Sequence, residues 1–99
     1  MLNIHQSFEN GKAAFALEGR LDTNTSPELE KALREALPGV SALELDFENL
    51  DYISSAGLRV LLSAQKAMSR QGEMKVKNVN GTIMEIFEVT GFTDILTIE

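Results

Sequence analysis

The chain has 99 residues, of which 43% are hydrophobic, and a formal charge of −6 from 15 acidic and 9 basic side chains. This length suits one domain, and the acidic balance argues against nucleic acid as a partner, because binding to phosphates needs lysine and arginine. The absence of cysteine excludes disulfide bonds and thiolate metal sites. With no signal-peptide pattern and no apolar run of about 20 residues, we expect a cytoplasmic protein that does not enter a membrane.

The N-terminal segment NIHQSFENGKAAFALEGRL alternates between apolar and polar side chains, which is the pattern of β-strands. Ile4 and Phe8 share one face before the Asn10-Gly11 pair, and Phe15 and Leu17 share one face after it. An Asn-Gly pair between two such runs is typical of a tight turn. The segment therefore predicts a β-hairpin whose second strand is the more buried.

The segment TNTSPELEKALREALPG has the spacing of an amphipathic helix. Its beginning allows two caps: a capping box of Thr25 and Glu28, or Ser26 as the cap with Pro27 in the first turn. The sequence does not decide between them. Four apolar residues are expected to face the core: Leu29, Leu33, Ala36 and Leu37.

The rest of the chain continues to alternate strands and helices. SALELDFENL predicts a strand, and the helix that starts in SSAGLRVLLSAQKAM is expected to end at Gln71-Gly72. EMKVKNV predicts a short strand, and a capping box of Thr82 and Glu85 predicts a third helix that ends at Gly91. DILTIE predicts a short helical turn followed by an edge strand.

The predicted element order is β-β-α-β-α-β-α-β. Such alternation after an opening hairpin predicts an α/β fold, with helices packed against one mixed, mainly parallel sheet. No repeat, low-complexity tract or linker interrupts it, so one domain is expected to fill residues 1–99.

Signatures of catalysis are weak in this sequence. His5 is the only histidine, and SSAG lacks the flanking glycines of a nucleophile elbow. Asp46, Glu48 and Asp51 lie on and after one strand without a histidine that could complete a metal site. No phosphate-binding G-x-x-x-x-G-K-[ST] loop is present. We therefore expect a protein that is not an enzyme and that holds neither a cofactor nor a metal.

The tetrapeptide SSAG, residues 54–57, lies where a strand gives way to a helix, and it allows two interpretations. A serine that caps the helix contributes about 0.5–2 kcal/mol, but one serine is enough for that. Alternatively, the helix presents a hydroxyl for phosphorylation, which would add a charge of about −1.5 to −2. In that interpretation Gly57 keeps the nearby backbone open to a partner. The residues alone leave both interpretations open.

Three segments, EGRLDTNTSPELEKAL, LDYISSAGLRVLLSAQKAM and VNGTIMEIFEVTGF, together resemble the STAS-domain anti-sigma factor antagonists of bacteria. The resemblance covers essentially the whole chain. It implies that the unmodified protein binds an anti-sigma factor, which is also a serine kinase of the histidine-kinase-like ATPase fold, and so frees a sigma factor. Phosphorylation by that kinase weakens the complex, and a PP2C-type phosphatase restores it. The free protein is expected to be a monomer.

The resemblance implies that Ser55 is the phosphoacceptor, with Ser54 as the second choice. Ser54 stands where many members carry aspartate, Ala56 where they carry serine or threonine, and Arg59 where glycine is frequent. Because Arg59 lies four residues after Ser55, we hypothesise that it partly neutralises a phosphate there. The implied partner-binding residues are Asp22, Thr23, Asn24, Thr25, Ser54, Ala56, Gly57, Leu58 and Arg59.

A protein of another class would fit the same features. A STAS-type scaffold or sensor subunit would bind its partners constitutively, inside a larger signalling or transport-related assembly, and its serines would serve only as caps. The two interpretations differ in one consequence. A negative charge at Ser55 abolishes a specific interaction in the first and merely costs stability in the second.

Overall fold

Strands and helices alternate along the whole chain in the computed structural model, which describes residues 1–99. The observed order agrees with the predicted one. The elements are β1 (Leu2–Glu9), β2 (Lys12–Leu21), α1 (Ser26–Ala36), β3 (Ala42–Ile53), α2 (Ser55–Ser69), β4 (Glu73–Lys77), α3 (Gly81–Thr90), a 3-10 turn (Phe92–Asp94) and β5 (Thr97–Ile98).

The five strands form one sheet in the order β1-β2-β3-β4-β5. β1 pairs with β2 in an antiparallel hairpin, and the three remaining pairs are parallel. The hairpin turns at Asn10 (φ 51°) and Gly11 (φ 81°), and both residues have the positive φ that the tightest hairpin turns require. The predicted mixed, mainly parallel sheet is therefore confirmed.

The helices cover one face of this sheet. Each parallel crossover advances by one strand in the same direction, and because such connections are right-handed, all three helices lie on the same side. Alternate strand residues such as Phe15, Leu45 and Val76 point to that side and are fully buried. The opposite face carries residues of intermediate exposure, namely Ala14, Ala16, Glu44, Asp46, Lys75 and Lys77.

The apolar stripes of the helices complete the core. From α1, Leu29 and Leu33 are buried, and from α2, Leu61 and Met68 are buried, as their spacing predicts. Phe8 is an exception, because its side chain is 57% exposed although it shares the inner face of the hairpin. β1 lies at the edge of the sheet and packs mainly on β2, so its far end is left uncovered.

The beginning of α3 differs from the prediction. Asn80, not Thr82, caps this helix, because its side-chain oxygen accepts a hydrogen bond of 2.9 Å from the backbone N–H of Ile83. The amide nitrogen of Asn80 also donates to the carbonyl of Leu50 at 2.9 Å, which ties the helix start to β3. The predicted end of α3 at Gly91 is confirmed by its left-handed backbone, with φ 81°.

Candidate functional site

The junction between β3 and α2 is held by Ser54. Its backbone is extended, with φ −100° and ψ 176°, and its N–H donates to the carbonyl of Leu21 at 2.9 Å. Its hydroxyl oxygen accepts a hydrogen bond of 3.4 Å from the N–H of Gly57. Ser54 is therefore the N-cap of α2, and it also links this junction to the end of β2.

Ser55 differs from its neighbour in both exposure and bonding. It is the first residue of α2, its side chain is exposed, and its hydroxyl makes no hydrogen bond within the protein. One serine satisfies the cap, so the second hydroxyl has no structural partner. The helix start therefore presents the Ser55 hydroxyl to solvent from a backbone that Ser54 fixes.

Gly57 faces the core. A Cβ atom at this position would lie 2.8 Å from Cγ1 of Ile53 and 2.9 Å from Cγ of Leu21. The prediction that Gly57 leaves the backbone open to a partner is therefore wrong, because the close approach is made by two core side chains. Leu58, the next residue, is also buried.

The loop between β2 and α1 is organised by Asp22. Its carboxylate accepts hydrogen bonds of 3.0 Å from the N–H groups of Asn24 and Thr25. The Thr25 hydroxyl donates to the carbonyl of Arg20 at 2.7 Å and accepts from the N–H of Asp22 at 2.9 Å. Thr25 occupies the N-cap position of α1, as one of the two alternatives predicted, but its side chain makes no cap bond, so the predicted capping box does not form. Ser26 is not the cap, because it lies inside the helix and its hydroxyl donates to the Asp22 carbonyl.

The loop and the junction lie side by side, because the Leu21 carbonyl binds Ser54. Three of the predicted partner-binding residues are buried and support the surface from below, namely Thr25, Gly57 and Leu58. The exposed or partly exposed members, together with the predicted phosphoacceptor Ser55, define what we call the switch surface, which consists of Asp22, Thr23, Asn24, Ser54, Ser55, Ala56 and Arg59.

A hollow of about 220 Å³ lies between α1 and α2, beside the switch surface. Thr23 contributes to it from the loop, and Ala56 and Arg59 contribute from α2. Ser26, Pro27 and Glu30 line its other side, and sequence reasoning missed these three. No local pattern could have indicated them, because they reach the hollow only through the packing of α1 against α2.

The charges around the loop favour an ionised Asp22. Hydrogen bonds to its carboxylate, first from the Thr25 backbone, lower the pKa of Asp22 below its usual 3.8. Arg20 adds an ion pair of 3.8 Å to this carboxylate, and its guanidinium lies 4.4 Å from the ring centre of Tyr52. The Asp22 carboxylate therefore already has hydrogen-bond and ion-pair partners within the protein.

This lowered pKa gives a pH-dependent prediction. A carboxyl group whose pKa falls on folding stabilises the protein above its unfolded pKa, and that contribution is lost as the pH falls through the folded pKa. We expect Asp22→Asn to melt below the wild type at about pH 7, and the gap to narrow as the pH falls below 3.8 and through the lowered pKa of the folded protein. Melting curves across this range measure the gap. Asp51→Asn is the control, since this exposed aspartate makes no side-chain contact of this kind, and a gap that stays constant with pH would contradict the prediction.

Two further findings concern metal ions and membranes. No group of three or more His, Cys, Asp or Glu side chains is arranged to hold a metal ion. None of the three helices has both the length and the apolar character needed to cross a membrane.

Comparison with known proteins places the chain in a family. A family model described as "Mlab, STAS domain" matches residues 4–97. The anti-sigma-B factor antagonist of Staphylococcus aureus is 30% identical over 97 residues, which cover 96% of this chain and 90% of that protein. The family match spans nearly the whole chain, including the loop and the junction described above.

Solved structures show the same fold. The crystal structure of an anti-sigma factor antagonist from Mycobacterium paratuberculosis has a TM-score of 0.90 at 18% identity, covering 99% of this chain and 85% of that one. The Bacillus cell fate determinant SpoIIAA in its phosphorylated form has a TM-score of 0.76 at 17% identity, covering 98% and 91%. The chain belongs to the STAS-domain family, and its relatives include anti-sigma factor antagonists.

Proposed function

We propose that this protein is a cytoplasmic anti-sigma factor antagonist, and that phosphorylation of Ser55 switches off its binding to an anti-sigma factor. One observation carries the proposal: Ser54 alone caps α2, while the Ser55 hydroxyl is exposed and unbonded beside the Asp22 loop. The 30% identical relative, which is an anti-sigma-B factor antagonist, supports the antagonist role. The protein acts as one domain, and it is a ligand and a substrate rather than an enzyme.

The proposed modification is a phosphoryl transfer from ATP bound to the anti-sigma factor, a serine kinase of the histidine-kinase-like ATPase fold. The Ser55 oxygen forms a bond to the γ-phosphorus, the bond between that phosphorus and the β,γ-bridging oxygen breaks, and ADP leaves. The hydroxyl proton passes to a base of the kinase. A PP2C-type phosphatase reverses the switch by adding water to the phosphorus, which returns the serine hydroxyl and free phosphate.

The phosphate acts on the partner rather than on the fold. Ser55 is exposed at the first residue of α2, where the helix dipole favours negative charge, so the domain keeps its structure. The partner must press against the switch surface, and a charge of about −1.5 to −2 in that interface has to be desolvated. The complex therefore weakens while the protein stays folded.

Capture from a lysate of the source bacterium tests this proposal. Wild type and Ser55→Ala are expected to retrieve an ATPase of histidine-kinase-like fold, and Ser55→Glu is expected to retrieve about tenfold less or none. Ser7→Glu is the matched control, because it places the same charge on an exposed serine of β1 and should behave as wild type. Circular dichroism first establishes that every variant is folded.

Incubation of the captured ATPase with wild-type protein and ATP then tests the modified residue. Mass spectrometry is expected to find phosphate on Ser55, and Ser55→Ala is expected to remain unmodified. Equal recovery of partners by wild type and Ser55→Glu would contradict the proposal. That result would favour a constitutive scaffold in which the serine pair acts only as a helix cap.

A further inference from the structure

Arg59 is a cation without a partner on the switch surface. Its side chain is exposed on α2, and none of the six ion pairs of the protein includes it. Glu30 is the one carboxylate that lines the same hollow, and it already pairs with Arg34 at 3.3 Å. The guanidinium of Arg59 is therefore free to bind an anion other than the protein's own carboxylates.

The geometry of α2 brings Arg59 next to Ser55. Both are exposed residues of one helix, four positions apart, and such residues are neighbours on the helix surface with Cβ atoms about 5–6 Å apart. A negative group placed four residues before a positive one is the favourable order along a helix. No acidic side chain lies in the first turn of α2, so nothing within the helix competes for Arg59.

Arginine also has the right shape for a phosphate. Its planar guanidinium presents several N–H donors in a fixed fork, and it binds phosphate oxygens through two parallel hydrogen bonds. The arginine side chain is long enough to span the distance of one helical turn to a group on Ser55. A lysine at the same position would offer one point charge and a weaker contact.

We propose that Arg59 binds the phosphate on Ser55 within the same chain, so that phosphorylation both adds negative charge and occupies the free cation of the switch surface. This inference rests on the proposed modification of Ser55. Before modification the pair carries one positive charge, and afterwards it carries about one negative charge. A partner that contacts Arg59 in the unmodified protein therefore meets a surface of opposite charge after phosphorylation.

The test uses protein with phosphoserine installed at position 55 during translation, so that no kinase is needed. Phosphorus NMR across a pH series gives the second pKa of the phosphate, which a nearby cation lowers. We expect that pKa to be about 0.5 pH unit higher in Arg59→Ala than in wild type, with Arg59→Lys between them. Arg70→Ala is the matched control, because Arg70 is an exposed arginine without an ion pair at the other end of α2, and it should match wild type.

Two results would overturn the inference. One is the same phosphate pKa in wild type and Arg59→Ala, and the other is an equal change in Arg70→Ala, which would indicate a general effect of net charge. Repeating the series in about 1 M salt should shrink the difference, because exposed charges are screened. Failure here would leave the partner-capture result untouched, since that experiment depends on Ser55 and the partner rather than on Arg59.

Discussion

Replacing Gly57 by alanine is expected to lower the free energy of unfolding by about 1–3 kcal/mol, because the new methyl group overpacks the core. It would lie 2.8 Å from Cγ1 of Ile53 and 2.9 Å from Cγ of Leu21, atoms in the middle of side chains that are fully buried. Alanine normally gains about 1 kcal/mol over glycine inside a helix. That gain is smaller than the cost expected here, because the fully buried side chains of Ile53 and Leu21 would have to shift.

Gly81→Ala is the matched control for this prediction. Gly81 is the first residue of α3, and a Cβ atom there would meet nothing within 4 Å, so the change should be neutral or slightly stabilising. Urea unfolding curves measure the free energy of unfolding of both variants. In a thermal melt, each kcal/mol of change in that free energy should move the melting temperature by about 4–8 °C. If Gly57→Ala proved as stable as wild type, α2 would not begin as close to β2 and β3 as these distances state.

The fold was largely predictable because its signals are local. Alternation of apolar residues indicated each main strand, helical spacing indicated each helix, and the order of elements then implied the sheet. The Asn10-Gly11 turn and the end of α3 at Gly91 follow from backbone conformations that few other residues adopt, with φ values of 51°, 81° and 81°. Where a single residue type determines the local backbone, the sequence alone was sufficient.

The helix caps were less predictable because several nearby residues could serve equally well. Thr82 with Glu85 has the pattern of a capping box, yet Asn80 caps α3. What decides between them is a contact 30 residues away in the chain, the hydrogen bond from Asn80 to the Leu50 carbonyl. A local pattern contains no information about that contact, so it could not have chosen the correct cap.

In the candidate site, too, features set by the local sequence could be predicted, and features set by distant contacts could not. The position of the serine pair at a helix start could be predicted, because a strand and a helix meet there. Which hydroxyl caps the helix, and which way Gly57 faces, depends on how β2 lies beside β3. The Leu21 carbonyl sets the Ser54 backbone, and the Leu21 side chain fills the space in front of Gly57. These contacts come from the parallel pairing of two strands separated by a whole helix.

Thr25→Val is expected to lower the free energy of unfolding by about 1–3 kcal/mol, although valine has nearly the same shape. Thr25 is 5% exposed. Its hydroxyl donates a hydrogen bond to the carbonyl of Arg20 at 2.7 Å and accepts one from the N–H of Asp22 at 2.9 Å. Valine would leave both backbone groups without this partner beneath the loop. Thr23→Val is the matched control two residues earlier, and it should change stability by less than about 0.5 kcal/mol because Thr23 is exposed.

The same two variants distinguish a structural threonine from one that contacts a partner. If Thr25 supports the loop from below, Thr25→Val loses stability and disturbs the switch surface only through Asp22. Thr23→Val should keep full stability, and any loss of partner capture would then report a direct contact. Urea unfolding and the lysate capture, run on both proteins, separate the two effects. Equal stability of Thr25→Val and wild type would mean that the hydrogen bonds of its hydroxyl do not hold the loop.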